Sequence, residues 1–209
     1  MKKQSFSLLS IAVSVMMLLI CLCPAFAQEQ QKVRAKIGIQ IFSDRAQNPA
    51  GSRELVKAGD RIRIYVHPLE SAYVYVVYSD DRTAKLLNKT RQHLPESLMV
   101  LPSEQAYYKV DGNSAMENFT IVCSPQELPQ ISGLADADMP GDRWLLIQEE
   151  LTKKSGIELS RQRTAADVEL AGNVRGADEL KNTEVFVKNL PIFSGKGFVV
   201  RKYEFKLQN

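Results

Sequence analysis

Between Arg61 and Tyr78 the chain alternates twice. Ile62, Ile64 and Val66 take turns with Arg61, Arg63 and Tyr65; a few residues on, Ala72, Val74, Val76 and Tyr78 take turns with Tyr73, Tyr75 and Val77. Successive side chains of a strand point to opposite faces, so each run predicts a strand with one face to bury. Pro68 has no N–H to give a ladder, and with Glu70-Ser71 it breaks the pattern. Leu55–Asp80 therefore reads as a Gly59-Asp60 turn, a strand, a short connection and a second strand. A chain built around this pair has to be β-rich.

Other stretches follow suit. Lys32–Phe42 alternates Val33, Ala35, Ile37, Ile39 and Ile41 with Arg34, Lys36, Gly38 and Gln40, a first strand with one solvated face. Residues 43–52 are rich in Asn, Pro, Gly and Ser and read as a loop. Leu86-Leu87 is a short apolar patch after the Asp80-Asp81 turn, and Leu98–Leu101 a strand ended by Pro102. Ala106–Val110 and Phe119–Cys123 flank Asp111-Gly112-Asn113, a turn signal.

From Asp142 the texture changes. Trp144, Ile147 and Leu151 recur at helical spacing with Leu145 alongside, Glu149 and Glu150 precede Lys153 and Lys154, and Gly156 marks the stop. This predicts an amphipathic helix over about 142–155. Ser160–Val174 is ambiguous and leans towards strand. Val185 and Val187 begin a C-terminal β-hairpin over 184–207, interrupted by Leu190-Pro191 and turned at Ser194–Gly197. On its return strand Val199, Tyr203, Phe205 and Leu207 share a face, and this strand is expected to pair inside a sheet. No internal repeat or low-complexity linker appears.

Met1-Lys2-Lys3, an apolar run over Leu8–Leu22 and Ala25-Phe26-Ala27 have the form of a secretory signal peptide, over residues 1–27, with cleavage after Ala27. The run is short of the ~20 residues a membrane span needs. Export to the periplasm, the outer envelope or the medium is expected, with no membrane span after cleavage. Cys21 and Cys23 leave with the leader, and Cys123 remains alone, so no internal disulfide can form. The 27 Lys and Arg exceed the 24 Asp and Glu by three, and losing Lys2 and Lys3 reduces that surplus to one. Nothing here predicts a nucleic-acid partner. Residues 28–209 have the length of a single domain.

Residues that could carry chemistry have plainer readings beside them. Cys123 with His67 or His93 would suit a cysteine hydrolase, yet it shares the alternating face of Phe119 and Ile121, where a small thiol fills a core. Asp136, Asp138 and Asp142 with Gly141 resemble a calcium loop. Pro140 and Ile147, however, stand where ligands should be, and the acids suit a helix start. Zinc spacing and a phosphate loop are absent, and no cofactor is expected. Asn88-Lys89-Thr90 and Asn118-Phe119-Thr120 are sequons that matter only in a eukaryotic secretory pathway.

The tyrosines are more informative. Tyr65, Tyr73 and Tyr75 lie opposite the aliphatic faces, and Tyr107 and Tyr108 sit near another strand end. Exposed together, these five would form an aromatic binding surface for a protein or a sugar. The plainer alternative is that the Trp144 helix covers this face and the rings are its core.

Gly59-Asp60, Tyr73-Val74-Tyr75, Asp80-Asp81, Leu86-Leu87, Leu101-Pro102 and Asn118–Ser124 appear in that order, over roughly residues 50–128. This set resembles a bacterial secreted domain of unknown function, forty-three eighty-four in its series. It departs from that pattern where Arg82-Thr83 replaces a turn glycine and Asn88 a proline. The resemblance implies an extracytoplasmic β-domain, often attached to other modules, without an established activity.

The expected architecture is mainly β, a sandwich-like or strongly curved antiparallel sheet with one amphipathic helix packed on it. The expected function is that of a non-enzymatic envelope or secreted module binding another protein through the tyrosine face or an unpaired edge strand. The alternatives are a carbohydrate-binding sandwich and, behind it, the cysteine hydrolase.

Overall fold

The computed structural model describes residues 32–43, 47–155 and 177–208, with side chains of the last stretch from 183 onward. The leader over 1–27, Gly156 and the ambiguous Ser160–Val174 lie outside the described residues. In chain order the strands are β1 (Lys32–Phe42), β2 (Gln47–Pro49), β3 (Arg53–Val56), β4 (Arg61–Pro68), β5 (Ala72–Ser79), β6 (Thr83–Leu86) and β7 (Gln92–His93). They continue as β8 (Met99–Leu101), β9 (Tyr108–Lys109), β10 (Met116–Ser124), β11 (Met139–Pro140), β12 (Ile192–Lys196) and β13 (Val199–Leu207). The helices are α1 (Pro129–Ser132), α2 (Gly141–Lys154) and α3 (Ala177–Lys188).

Among the described residues these strands form two sheets. In the first, β12, β1, β4 and β8 lie side by side, with β2 beside β12 along β1 and β9 beside β8 along β4. In the second the order is β11-β6-β5-β10-β13-β3, with β7 also on β5. All pairs are antiparallel except β13 with β3, which is parallel. The expected mainly β, sandwich-like fold is what the chain adopts.

Strands adjacent in sequence are seldom partners here. β4 pairs with β1 and β5 with β10, so the break at Pro68–Ser71 carries the chain from one sheet to the other. The Asp111–Asn113 turn does the same, since β9 pairs with β4 whereas β10 lies between β5 and β13. The 184–207 hairpin is also corrected: its first arm is the end of α3, and β12 pairs with β1 while β13 pairs with β10 and β3. Val185 and Val187 alternate as strand residues do, but Phe186 and Leu190, one helical turn apart, are the buried ones.

The main core fills the space between the sheets. Ile37, Ile39, Ile62, Ile64 and Val66 from the first sheet meet Val74, Val76, Ile121, Cys123 and Phe205 from the second, as the period-two pattern requires. Val199, Tyr203 and Phe205 point into this core, with Leu207 packed at its border.

Both outer faces also carry helices. On the second sheet, α2 lays Trp144 and Leu151 over Tyr75, Val77, Val122 and Val200, joined by Ile131 and Leu134. Gln148 lies on the same buried stripe and donates from Nε2 to Thr120 Oγ1. The Glu149–Lys153 and Glu150–Lys154 pairs form on the wet side, whereas Leu145 and Leu146 stay exposed. On the first sheet, Phe186 of α3 and Leu190 just beyond its end pack on Tyr65. Gly38 makes this approach possible: a Cβ there would stand 2.2 Å from Leu190 Cδ2. The face of β1 expected to be solvated is thus wet at Arg34 and covered at Gly38 and Gln40.

One side chain replaces a missing stretch of ladder. β6 and β7 both border β5, and between them lies buried Asn88. Its Oδ1 accepts from Val76 N–H, and its Nδ2 donates to Val74 O and Thr90 O, each at 2.8 Å. Asn88 thereby satisfies groups that a paired strand would otherwise take.

Candidate functional site

The expected tyrosine surface does not form. Tyr65 and Tyr75 are fully buried and belong to the outer faces of different sheets. Tyr65 packs on Phe186 at 5.0 Å between ring centroids and donates from its hydroxyl to Gln40 Oε1 at 3.0 Å. The Tyr75 hydroxyl accepts from Leu128 N–H at 2.9 Å. Tyr73, half-buried, borders the same cluster. The amphipathic stripe of α2 had to bury against something, and the Tyr73–Val77 face is what it covers; α3 does the same to Tyr65.

Tyr107 and Tyr108 are half-buried at the end of the first sheet. Tyr107 stacks with Arg63 at 4.1 Å and Arg61 at 4.9 Å, and meets the Phe42 ring edge-on at 4.7 Å. Arg63, which alternation placed on a wet face, is buried in this stack with Nε directed at Ala106 O. Tyr108 packs against the main core, where burial raises its phenol pKa.

The other candidates disperse. Cys123 is wholly enclosed, and desolvation pushes its thiol up to about 12, away from the thiolate a nucleophile needs. His67 is tied to Glu96 at 3.0 Å and His93 to Thr90 O at 3.1 Å, and both are half-buried rather than freely solvated. Asp138 pairs with Lys85 at 3.3 Å, and Asp142 accepts from Arg143 N–H. Among the described residues, no three His, Cys, Asp or Glu side chains converge as a metal set, and no helix is long and apolar enough to cross a membrane.

Among the described residues, one edge of the second sheet is built by β3, which has a partner on one side alone, β13. Glu204 N–H donates to Ser52 O at 2.9 Å and Gln208 N–H to Val56 O at 2.8 Å, so the even-numbered residues face β13. Alternation then turns the N–H and C=O of Arg53 and Leu55 towards the free edge. The next such residue, Lys57, is closed off: its N–H goes to Asp60 Oδ2 and its C=O accepts from Asp60 N–H. Gly59, at φ +97°, makes the turn that brings Asp60 back. The edge is thus two residues long, anchored by the buried side chain of Val56.

Beside it the outer face of the second sheet is uncovered. Register places Leu55, Lys206 and Met116 across β3, β13 and β10, and Arg53 beside Glu204. Leu55 is 62% exposed and Met116 44%, large values for aliphatic side chains. With Arg53, Glu54, Glu204 and Lys206 they line a concavity of about 500 Å³. Glu204 takes Lys202 at 2.8 Å and Arg53 at 2.9 Å. The hydrogen bond from Lys202, followed by its charge and the Arg53 contact, outweighs burial and holds the Glu204 carboxyl below its ordinary range. Sequence reading passed over this corner because Leu55 and Met116 are 61 residues apart and each looks incidental.

No protein-family model, curated protein or solved structure matches this chain.

Proposed function

We propose that the protein is an exported, non-enzymatic module of the bacterial cell envelope or its surroundings, which binds another protein by taking an extended segment onto β3. The observation that carries this reading is the pair of outward-facing residues Arg53 and Leu55, whose backbone groups lie next to the exposed Leu55–Met116 concavity. Main-chain hydrogen bonds would supply affinity to an added strand, and the apolar concavity would select its side chains. Export is supported by the basic start, apolar run and Ala-Phe-Ala close of the leader. A sugar site would need the aromatics on one concave face, and their burial under two separate helices does not favour it.

The test is a single edge substitution. Leu55→Pro removes an N–H that β13 does not use and keeps the extended backbone that proline tolerates at an edge. Immobilised purified protein should retain a near-stoichiometric partner from the envelope or secreted fraction, and Leu55→Pro should lose it with an unchanged unfolding midpoint. Full retention by the folded variant would overturn the proposal.

A further inference from the structure

Resting on that reading, we infer that the segment received by β3 belongs to another protein and carries a lysine or arginine opposite Glu54.

The edge offers the N–H and C=O of Arg53 and of Leu55, with Glu54 between them. A strand laid antiparallel along this edge bonds at the two outer positions. The residue facing Glu54 then forms a non-hydrogen-bonded pair, the closer of the two kinds, at about 4.5 Å between Cα atoms. The charge at that position therefore bears directly on recognition.

Glu54 is half-buried and lies in the inward row with Phe205 and Glu117. Its Oε1 accepts from Gly51 N–H at 2.8 Å, and no cation is paired with it among the described residues. The nearby cations Arg53 and Lys206 share the rim of the concavity with Glu54 but alternate to the other face of the sheet, and Arg53 is engaged by Glu204. A cation arriving on the inward side thus meets the Glu54 carboxylate.

The same residue argues against a second copy as occupant. Two β3 strands related by a twofold axis would satisfy all four edge groups of each, Arg53 of one copy bonding to Leu55 of the other. That arrangement sets Glu54 against Glu54 in the close central pair, where like charges repel. An inward-pointing charge on an exposed edge guards against self-pairing.

The experiment titrates the isotope-labelled full chain with short capped peptides of alternating valine and threonine, whose central residue is lysine, glutamine or glutamate and faces away from the valines. Amide shifts at 53–57 and 204–208 report binding. The lysine peptide should bind about fivefold more tightly than the glutamate peptide, the spread expected of a cross-strand charge pair. Glu54→Gln, which keeps the acceptor for Gly51, should remove most of that difference. Equal binding of all three peptides at β3 would overturn the inference and leave the interaction reading standing. No shift at β3 with any peptide would overturn both. A dimer of the unliganded protein in sedimentation, with the β3 amides protected from exchange, would make a second copy the occupant and also overturn the inference.

Discussion

Glu117 shows how far one residue's setting departs from its type. It stands on the inward face of β10, where Phe119, Ile121 and Cys123 are apolar, and burial, followed by the charges of Asp111 and Asp80, pushes its carboxyl up to about 7. The folded protein therefore keeps this proton up to about pH 7, whereas the unfolded chain releases it near 4.5. Between those values the unfolded state holds fewer protons, so stability contributed by the neutral acid is lost as pH rises through the window and is level above it. Urea midpoints should fall from pH 5 to pH 8 for the native protein. Glu117→Gln should flatten most of that fall, and an unchanged slope would show that the carboxyl titrates normally. Such a setting is invisible in sequence, because a glutamate one step before a strand's apolar run reads as a solvated end. Arg63 misleads in the same way: alternation placed it on a wet face, and Tyr107, forty-four positions on, encloses it.

At the scale of elements, what was legible was whatever short-range periodicity determines. β1, β4, β5, β10 and β13 follow from alternation, and α2 from its Trp144–Leu151 stripe, because burial on one face leaves its period in the sequence. Partnership leaves no such mark, and so β4 and β5, read as neighbours, proved to belong to opposite sheets. The end of α3 misled because Val185 and Val187 fit a strand, while the reason for the helix lies on distant Tyr65 and Gly38. That dependence can be tested. Gly38→Val places a branched side chain where the Leu190 tip sits, pushes that side chain off β1 and loosens the contact that seats the end of α3. Amide exchange over 183–190 should quicken, with β5 and β10 left protected. Unchanged protection would mean that α3 is held by something other than this contact. The candidate site was only half legible for the same reason: an edge strand was anticipated, but which strand ends a sheet is settled by pairings far apart in sequence.

Across the whole molecule, chain order and spatial order are nearly independent. β1 finds β12 about 160 residues later, and β3, where the docking site is proposed, is held by the last strand of the chain. A chain ending at 190 lacks β12 and β13 and exposes the core faces of Phe193, Val199, Tyr203 and Phe205's partners. It should show no cooperative thermal transition by circular dichroism; a sharp transition would mean that one sheet stands alone. The alternation of successive strands between sheets also bears on time. Most contacts join residues far apart in sequence, so loop closure precedes much of the stabilising pairing, which is the condition for slow folding. A nascent chain of this topology cannot complete either sheet until β12 and β13 emerge, and stays incomplete for as long as it is being made. That is the state in which a polypeptide can be threaded through a narrow pore, so for a chain exported as proposed above the wiring of the sandwich would itself delay folding until passage is complete.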